Sequence, residues 1–532
     1  TNNPSWLMVK ALPAISNPTE EDALSLMAAI YANTLSRHIQ KTLNVNAKDI
    51  DDASGLASAS DTLQKKVNKY VALLKKLQNK DGSFSWWKGM SGSRYMTTAV
   101  AEMMVRLNAI VGRQSSTASM LSGAIGYLRQ QTAREVKTMK EDEAKAAQKA
   151  ARNGKKGEAY QATPSEMALH YLYIVAMDGT CVKLKAPALN DMDYLLGKLK
   201  KMTGSLTIYG KAKAAVILAL NYDYKTAADY LKSMEEYSVY REDMGRYYDT
   251  RKAYYSWRNY KIPTEVAAIE ALQALDAQSI AAISSASSAI SKQQTIEEMQ
   301  RWLLMSKRTQ VWDTPVNTVD AVYAFMKGNE SNWSRKAENA VLKLDGKLLP
   351  MPQDSTTLGY VKTERPGKAS KLSIQKKSDY TSWGAVYAEF KQPVSEIGSM
   401  ESGIKIRRVI VPAESEGNGK AQAKVGEKVK VTLIITADRD YDFVQITDKR
   451  AACLEPVNQL SGYQWGIGCY VSPRDYATNF YFDRLSKGKH IVEMEYYVDR
   501  KGDYQSGSCT AKCTYSPEFG GLTEAYEMKI SE

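Results

Sequence analysis

Four cysteines, Cys453, Cys469, Cys509 and Cys513, crowd the last 80 residues of this 532-residue chain, and Cys181 stands alone before them. Thiols clustered in a strand-rich segment form either two disulfides or a zinc site. Fifteen residues separate the first pair and three the second; neither is Cys-x-x-Cys, and no histidine lies close by. Disulfides are therefore expected, with three pairings open, and they imply an oxidising compartment. The histidines, His38, His170 and His490, are far apart and form no HExxH or paired-His motif, so no metal or cofactor is expected and they read as ordinary surface or core residues.

Acidic residues offer the other chemistry. Asp49-Ile-Asp-Asp52 matches the Asp-x-Asp-Asp of protonating terpene cyclases, whose middle carboxyl acts as a general acid. Here it sits in a polar stretch before Ser54-Gly55 and reads as a helix cap or solvated loop. Glu166, Asp191, Asp193, Glu265 and Asp320 are the residues from which a toroid glycosidase would draw paired carboxylates, but no motif marks out a pair. Trp86, Trp87, Trp257 and Trp312 would line a pocket or, more simply, pack at hairpin tips. There is no Walker loop and no GxGxxG after a strand. No residue is singled out as catalytic, and the chain is expected not to be an enzyme.

Composition narrows the classes further. The net charge of +13 comes from 72 basic and 59 acidic residues spread along the chain. Without a basic run interleaved with aromatics, it reads as a solvated surface and not as a nucleic-acid interface. No apolar run approaches the roughly 20 residues of a membrane span. Thr1 to Lys10 lacks a signal-peptide pattern, so any export signal or lipoprotein anchor is expected to lie outside these residues. Tyrosine outnumbers phenylalanine 33 to 7, which suits sandwich faces and hairpin tips.

The elements that must carry these residues change character near residue 330. Before it, apolar residues recur at three- and four-residue spacing, as in Leu24 to Ile39, Val67 to Leu77 and Met96 to Leu107. After it the period is two, in Gly384 to Phe390, Val425 to Ala437 and His490 to Val498. The helical part repeats an aromatic, turn-rich tip, a Thr or Pro-Thr start that suits N-capping, and a small-residue helix. Clear copies are Gln78 to Trp87 with Thr97 to Leu107, Tyr255 to Trp257 with Thr264 to Leu275, and Val311 to Thr314 with Thr318 to Met326; weaker ones start at Ser165 and Lys211. This period fits about six helical hairpins closed into an α/α toroid of terpenoid-cyclase-like type, followed by antiparallel β-sandwich domains. Gly82 would turn the tip and Phe84 would plug the gap between hairpins. Lys137 to Lys156 reads as an exposed helix or loop, and Ser279 to Ser291 as a packed small-residue helix or linker.

In their order these segments resemble the carboxyl-terminal half of the bacterial alpha-2-macroglobulin family, in its cysteine-containing, Bacteroides-type form. The resemblance is carried by the Gln78–Trp87 tip, by Trp302-Leu-Leu-Met-Ser-Lys-Arg with Trp312-Asp-Thr and Thr318-x-Asp-Ala, and by Tyr441-Asp-Phe-Val-Gln-Ile-Thr-Asp448 followed by Cys453-Leu-Glu-Pro456. Lys489 to Val498 and Cys513 to Glu518 complete it. It implies strands at 1–12 joining a small β domain, a thioester-type toroid over 13–330, the second part of the CUB-like β domain over 331–400, and a terminal macroglobulin-like sandwich over 401–532. It also implies a periplasmic or cell-surface endopeptidase inhibitor, with proteases or other envelope or host proteins, and the upstream part of the same parent chain, as partners. The family's thioester needs Cys-x-Glu-Gln near the start of the toroid. The stretch that corresponds is Thr19-Glu-Glu-Asp22: Thr19 replaces the Cys, Glu21 matches the Glu and Asp22 replaces the Gln. A non-covalent trap is thus expected. The alternatives are a toroid enzyme acting on glycans or isoprenoids and a plain protein-binding module.

Overall fold

The structure, a computed structural model, describes residues 8–43, 60–153, 160–201, 206–242, 244–249, 260–275, 292–306, 312, 314–328, 340–349, 367, 369–377, 382–384, 391–411, 420–514 and 519–532. The chain forms two compact units, Thr1–Ala385 and Val386–Glu532.

The first unit is built on α1 (Leu12–Ser16), α2 (Ala23–Leu43), α3 (Ser60–Lys75), α4 (Arg94–Val111), α5 (Ser115–Arg152) and α6 (Glu166–Met177). It continues with α7 (Ala188–Lys201), α8 (Ile208–Leu220), α9 (Tyr224–Met234), α10 (Lys261–Ala274), α11 (Lys292–Met305) and α12 (Pro315–Met326). The even-numbered helices form an inner ring, each packed on the next, and α12 packs back on α2 to close it. Composition explains which helices go inside. In α8 every residue from Ile208 to Ala219 is buried, as a helix apolar all round requires. In α9 the buried residues are one stripe, Ala227, Ala228, Tyr230, Leu231 and Met234, as expected for an outer helix. Side chains of Ser93, Ser165, Thr207 and Thr314 accept first-turn N–H groups and start α4, α6, α8 and α12, satisfying donors that the helix leaves open.

The tip before α4 does the job its sequence suggests. Phe84 is buried and its amide donates to Thr97 Oγ1 at 2.8 Å. The Gln78 amide donates to Gly82 O at 3.1 Å and across to Met120 O of α5 at 2.8 Å. Gly82 has φ +89°, and a Cβ there would fall 2.1 Å from Gly123 O. Gly82→Ala therefore meets both left-handed strain and a backbone clash. It is expected to cost about 2 kcal/mol or more in a urea titration followed by far-UV circular dichroism.

Lys137 to Arg152 continue α5 as an exposed helix. It is tied to the body through Glu143, which accepts from Tyr194 Oη at 2.9 Å and from the Ala162 amide at 2.8 Å and pairs with Lys198. The amino-terminal expectation is corrected: Met8 and Val9 are helical, Leu12 opens α1, and Met8, Val9, Ala11 and Leu12 are buried in the helical core instead of joining a β domain. A short apolar run fits either element, and Pro13 in the first turn suits a helix start. Trp6, Leu7, Ser279 to Ser291 and residues 385–390 of the strand expected at Gly384 to Phe390 lie outside the described residues.

Short strands decorate this unit. β1 (Phe84–Ser85) pairs with β2 (Gly92–Ser93), β3 (Ser238–Arg241) with β4 (Gly245–Tyr248), and β5 (Val341–Leu344) lies between β6 (Lys347–Leu348) and β7 (Leu372–Gln375).

The second unit holds β8 (Met400–Ser402), β9 (Ile404–Val411), β10 (Lys420–Lys424), β11 (Lys428–Ala437), β12 (Tyr441–Lys449), β13 (Leu454–Pro456) and β14 (Gly462–Gln464). After them come β15 (Cys469–Pro473), β16 (Ala477–Leu485), β17 (Gly488–Val498), β18 (Gly502–Gln505), β19 (Cys509–Cys513), β20 (Gly520–Leu522) and β21 (Glu527–Ser531). Sheets of order β13-β17-β11-β9 and β14-β15-β16-β12-β19-β20-β8 form the sandwich, beside a third of order β10-β21-β18. Alternation fills the core: Val429, Val431, Leu433 and Ile435 point in from β11, and Phe480 and Phe482 from β16. Arg408 of β9 ties the two main sheets. It reaches Asp448 of β12 at 2.6 Å and donates to the carbonyls of Gly507 and Glu524, both at 2.9 Å, under the Tyr526 ring.

The disulfide expectation is also corrected: all five cysteines are thiols, and no two are joined. Cys509 and Cys513 sit at opposite ends of one extended strand, about 13 Å apart, and β16 and β12 separate Cys469 from Cys513 by about 14 Å. A disulfide needs Cα atoms within roughly 7 Å. Cys453 Sγ instead lies 3.9 Å from Met528 Sδ. Burial pushes the Cys453 and Cys469 thiols up to about 11. Burial and then the Asp448 charge hold Cys509 well above its ordinary value. These thiols pack as small apolar residues and are poor nucleophiles.

Candidate functional site

Two places in the helical unit merit chemical scrutiny: the start of α2 and the axis of the ring. At the start of α2, Thr19 and Glu21 are exposed while Asp22 is buried. Asp22 Oδ1 accepts from the amides of Leu24 at 3.0 Å and Ser25 at 3.1 Å, so its carboxylate caps the helix. The Ala23 amide donates to Trp86 O of the neighbouring tip at 3.1 Å, and Asn33 Nδ2 holds the incoming loop through Ser16 O at 2.8 Å. Thr19 offers a hydroxyl to solvent and Asp22 a carboxylate committed to backbone amides.

The axis carries a charge network of which sequence reasoning singled out Asp320 and Glu166 but missed Arg106, Glu102, Lys213 and Glu270. Arg106 of α4 donates to Asp320 of α12, to Tyr173 Oη of α6 at 3.1 Å, and pairs with Glu102 one turn back at 3.1 Å. Glu270 of α10 lies 4.0 Å from the same guanidinium and accepts from Tyr173 and Tyr323 hydroxyls, both at 2.8 Å. Lys213 of α8 donates to Glu102 at 2.6 Å and stands 3.7 Å from the centre of the Tyr173 ring. His170 Nδ1 meets Glu102, and its Nε2 meets Tyr209 Oη at 2.9 Å. Tyr209 stacks on Tyr260, which donates to Glu166 at 2.9 Å. Tyr31 of α2 is also fully buried within the field of Arg106 and Asp320. All six inner helices thus contribute to one cluster.

Burial and charge compete within it. Burial opposes the charge on Glu102, but His170, Lys213 and Arg106 outweigh it and hold the carboxyl well below the ordinary range. Burial likewise opposes Arg106, and the Asp320 charge, with the other acids, overcomes it. At Asp320 and Lys213 burial prevails, shifting both toward their neutral forms. Arg106, Glu102, Lys213, Glu270 and Asp320 are each at most 7% exposed. A general acid or base must reach its substrate within hydrogen-bond distance, and these groups are enclosed by the helices that supply them. The arrangement is a clamp on the ring.

The carboxylates named from sequence are distributed, not paired. Asp191, 3.7 Å from Lys140, and exposed Asp193 lie on outer helix α7, whereas Glu166, Glu265 and Asp320 lie on inner helices. Asp49, Asp51, Asp52 and Trp257 lie outside the described residues. Trp312 is buried and donates to Leu303 O at 3.0 Å, a packing role, while Trp86 and Trp87 are exposed. The missed residues did leave a signal: Glu102, Lys213 and Glu270 are charges inside Ala-rich apolar stretches, where a helix buried all round has no solvated face for them.

Glu265 differs from the clamp. It is 1% exposed, Oε2 accepts from the Tyr248 amide at 3.4 Å, and Oε1 has no partner among the described residues. Burial raises its pKa well above the ordinary range. With the folded value raised, its contribution is full below the ordinary carboxylate range and is lost as pH rises toward the folded value. Glu265→Gln removes the ionising group. It is expected to be more stable than the parent chain at pH 8, with the difference fading by pH 4, in parallel urea titrations.

Among the described residues no helix is long and apolar enough to cross a membrane. The family model described as the bacterial alpha-2-macroglobulin MG10 domain matches residues 403–518. No curated protein matches the chain. Among solved structures, the native conformation of Escherichia coli alpha-2-macroglobulin is 11% identical, covering 100% of this chain and 31% of that one, with TM-score 0.37. Salmonella alpha-2-macroglobulin reacted with methylamine is 12% identical over 100% of this chain and 31% of that one, with TM-score 0.36. Trypsin-activated alpha-2-macroglobulin from E. coli is 12% identical over 94% and 32%, with TM-score 0.38. The chain spans about a third of the length of these proteins. Residues 403–518, most of the terminal sandwich, are thus similar to the MG10 domain of the bacterial alpha-2-macroglobulin family that the sequence resembles.

Proposed function

We propose that the chain is the carboxyl-terminal region of an alpha-2-macroglobulin-like protein of the bacterial periplasm or cell surface, which restrains proteases without a covalent bond. The MG10 match at residues 403–518 carries this reading. The closed helical ring that precedes it suits the family's thioester-type domain. The chemistry at the start of α2 sets the mode. A thioester joins a Cys sulfur to a Gln carbonyl with loss of ammonia; at the positions assigned to that pair, Thr19 has no sulfur and Asp22 has no amide to lose. The chain contains no Cys-x-Glu-Gln elsewhere. The relative that trypsin activates supports proteases as the partner class. Location rests on the family likeness alone, since the thiols give no disulfide argument for it.

The test uses the full-length parent protein mixed with trypsin. Activity on a large protein substrate is expected to fall while activity on a small peptide substrate persists, and denaturing gels are expected to show no protease-linked band. Unchanged digestion of the large substrate would refute restraint, and a linked band that survives boiling would refute the non-covalent mode.

A further inference from the structure

The sandwich presents a flat aromatic row to solvent. Tyr463 of β14, Tyr470 of β15 and Tyr481 of β16 are direct cross-strand neighbours in one register row. All three are exposed, at 44%, 43% and 41%. Adjacent strands are about 4.8 Å apart, so the row spans about 10 Å. Trp465, 87% exposed in the β14–β15 hairpin, extends it with its ring 4.7 Å from that of Tyr463. The row continues over β12 and β19 as Gln445 and Lys512. Among the described residues β14 is the edge of its sheet, so the platform is open along one side.

Its chemistry is selective. From Val457 to Val471 the sequence has no charged residue, and the flanking charges of the face, Lys512 and Asp483, are of opposite sign, which argues against an anionic ligand: single-stranded nucleic acids also stack on aromatic rows, but in grooves lined with cations. Tyrosine and tryptophan present rigid, amphipathic faces at little entropic cost. The negative faces of these rings attract polarised C–H groups, and an uncharged pyranose offers a whole face of them. The Tyr hydroxyls and the Gln445 amide then provide donors and acceptors for the sugar's own hydroxyls. We propose that the β14–β15–β16 face of the sandwich binds a linear, neutral oligosaccharide, with Trp465 and Tyr470 as the principal stacking residues. This goes beyond protease restraint and does not depend on it.

Isothermal titration of the full 532-residue chain with maltohexaose, cellohexaose and chitohexaose tests it, with hexagalacturonate as an anionic control. At least one neutral hexasaccharide is expected to bind at submillimolar concentration, more tightly than hexagalacturonate. Trp465→Ala with Tyr470→Ala is expected to weaken it at least tenfold at an unchanged melting temperature. Should that pair perturb folding, Tyr470→Ser alone keeps the comparison. Failure of all three neutral sugars at 5 mM, equal binding by the variants, or preference for the anionic sugar each overturns the proposal. So does a self-association that the variants abolish in the absence of sugar binding, since the row would then be a protein contact.

Discussion

Arg106→Met is expected to destabilise the helical ring by about 3–5 kcal/mol, enough to unfold it partly at ordinary temperature. The guanidinium serves Asp320, Glu102, Glu270 and Tyr173 at once. Methionine fills much of the space but leaves Asp320, Glu102 and Glu270 facing each other, with Lys213 and the His170 ring still bonded to Glu102. Urea unfolding followed by far-UV circular dichroism measures the loss. Its pH dependence separates charge from packing. In the variant the carboxyls lose a cation, so they bind protons more readily in the folded state, and the deficit should shrink as pH falls through the carboxylate range. A deficit of the same size at every pH would assign the effect to shape. Arg106→Lys keeps a charge but not the fork that spans several acceptors, and should recover only part of the stability.

Arg408→Leu is the counterpart in the sandwich, again with an expected cost of about 3–5 kcal/mol. The side chains of Arg408 and Asp448 are 4% and 2% exposed. The substitution strands that carboxylate and removes the donor to Gly507 O and Glu524 O. The readout can be local, because Asp448 also faces the Cys509 thiol. Loosening of the two sheets should make the buried thiols react with a water-soluble disulfide reagent faster than in the parent chain. Unchanged thiol protection together with unchanged stability would show that the pair contributes nothing to holding the sheets.

Particular residues show what could be read in advance. The ring helices were legible from composition and period: starts expected near 97, 165, 211, 264 and 318 fall within three residues of α4, α6, α8, α10 and α12, but of the residues expected to cap only Ser165 does so, while Thr97, Thr264 and Thr318 lie one turn inside their helices. β11 and β17 were legible because strict alternation has one interpretation in a half-buried sheet. Met8 to Leu12 was not, since a short apolar run lacks the length that separates helix from strand. The cysteine spacing was silent on pairing, because sequence distance says nothing about which strands lie side by side. The axial clamp was hardest. Its contacts between helices join residues up to 214 apart in sequence, and each member looks like a stray charge until the ring closes. The excess of tyrosine, read as suiting faces and tips, has another use as well: Tyr173, Tyr209 and Tyr323 are that clamp's hydrogen-bonding walls.

The clamp also constrains how this domain can change by descent. A single substitution at Arg106, Glu102 or Asp320 leaves an unanswered charge, whereas an axis with no charges at all would be tolerated. Lineages must therefore cross from one condition to the other through intermediates less fit than either end. Relatives of this chain should inherit the ionic axis whole or show it wholly replaced by apolar residues, with few halfway forms between.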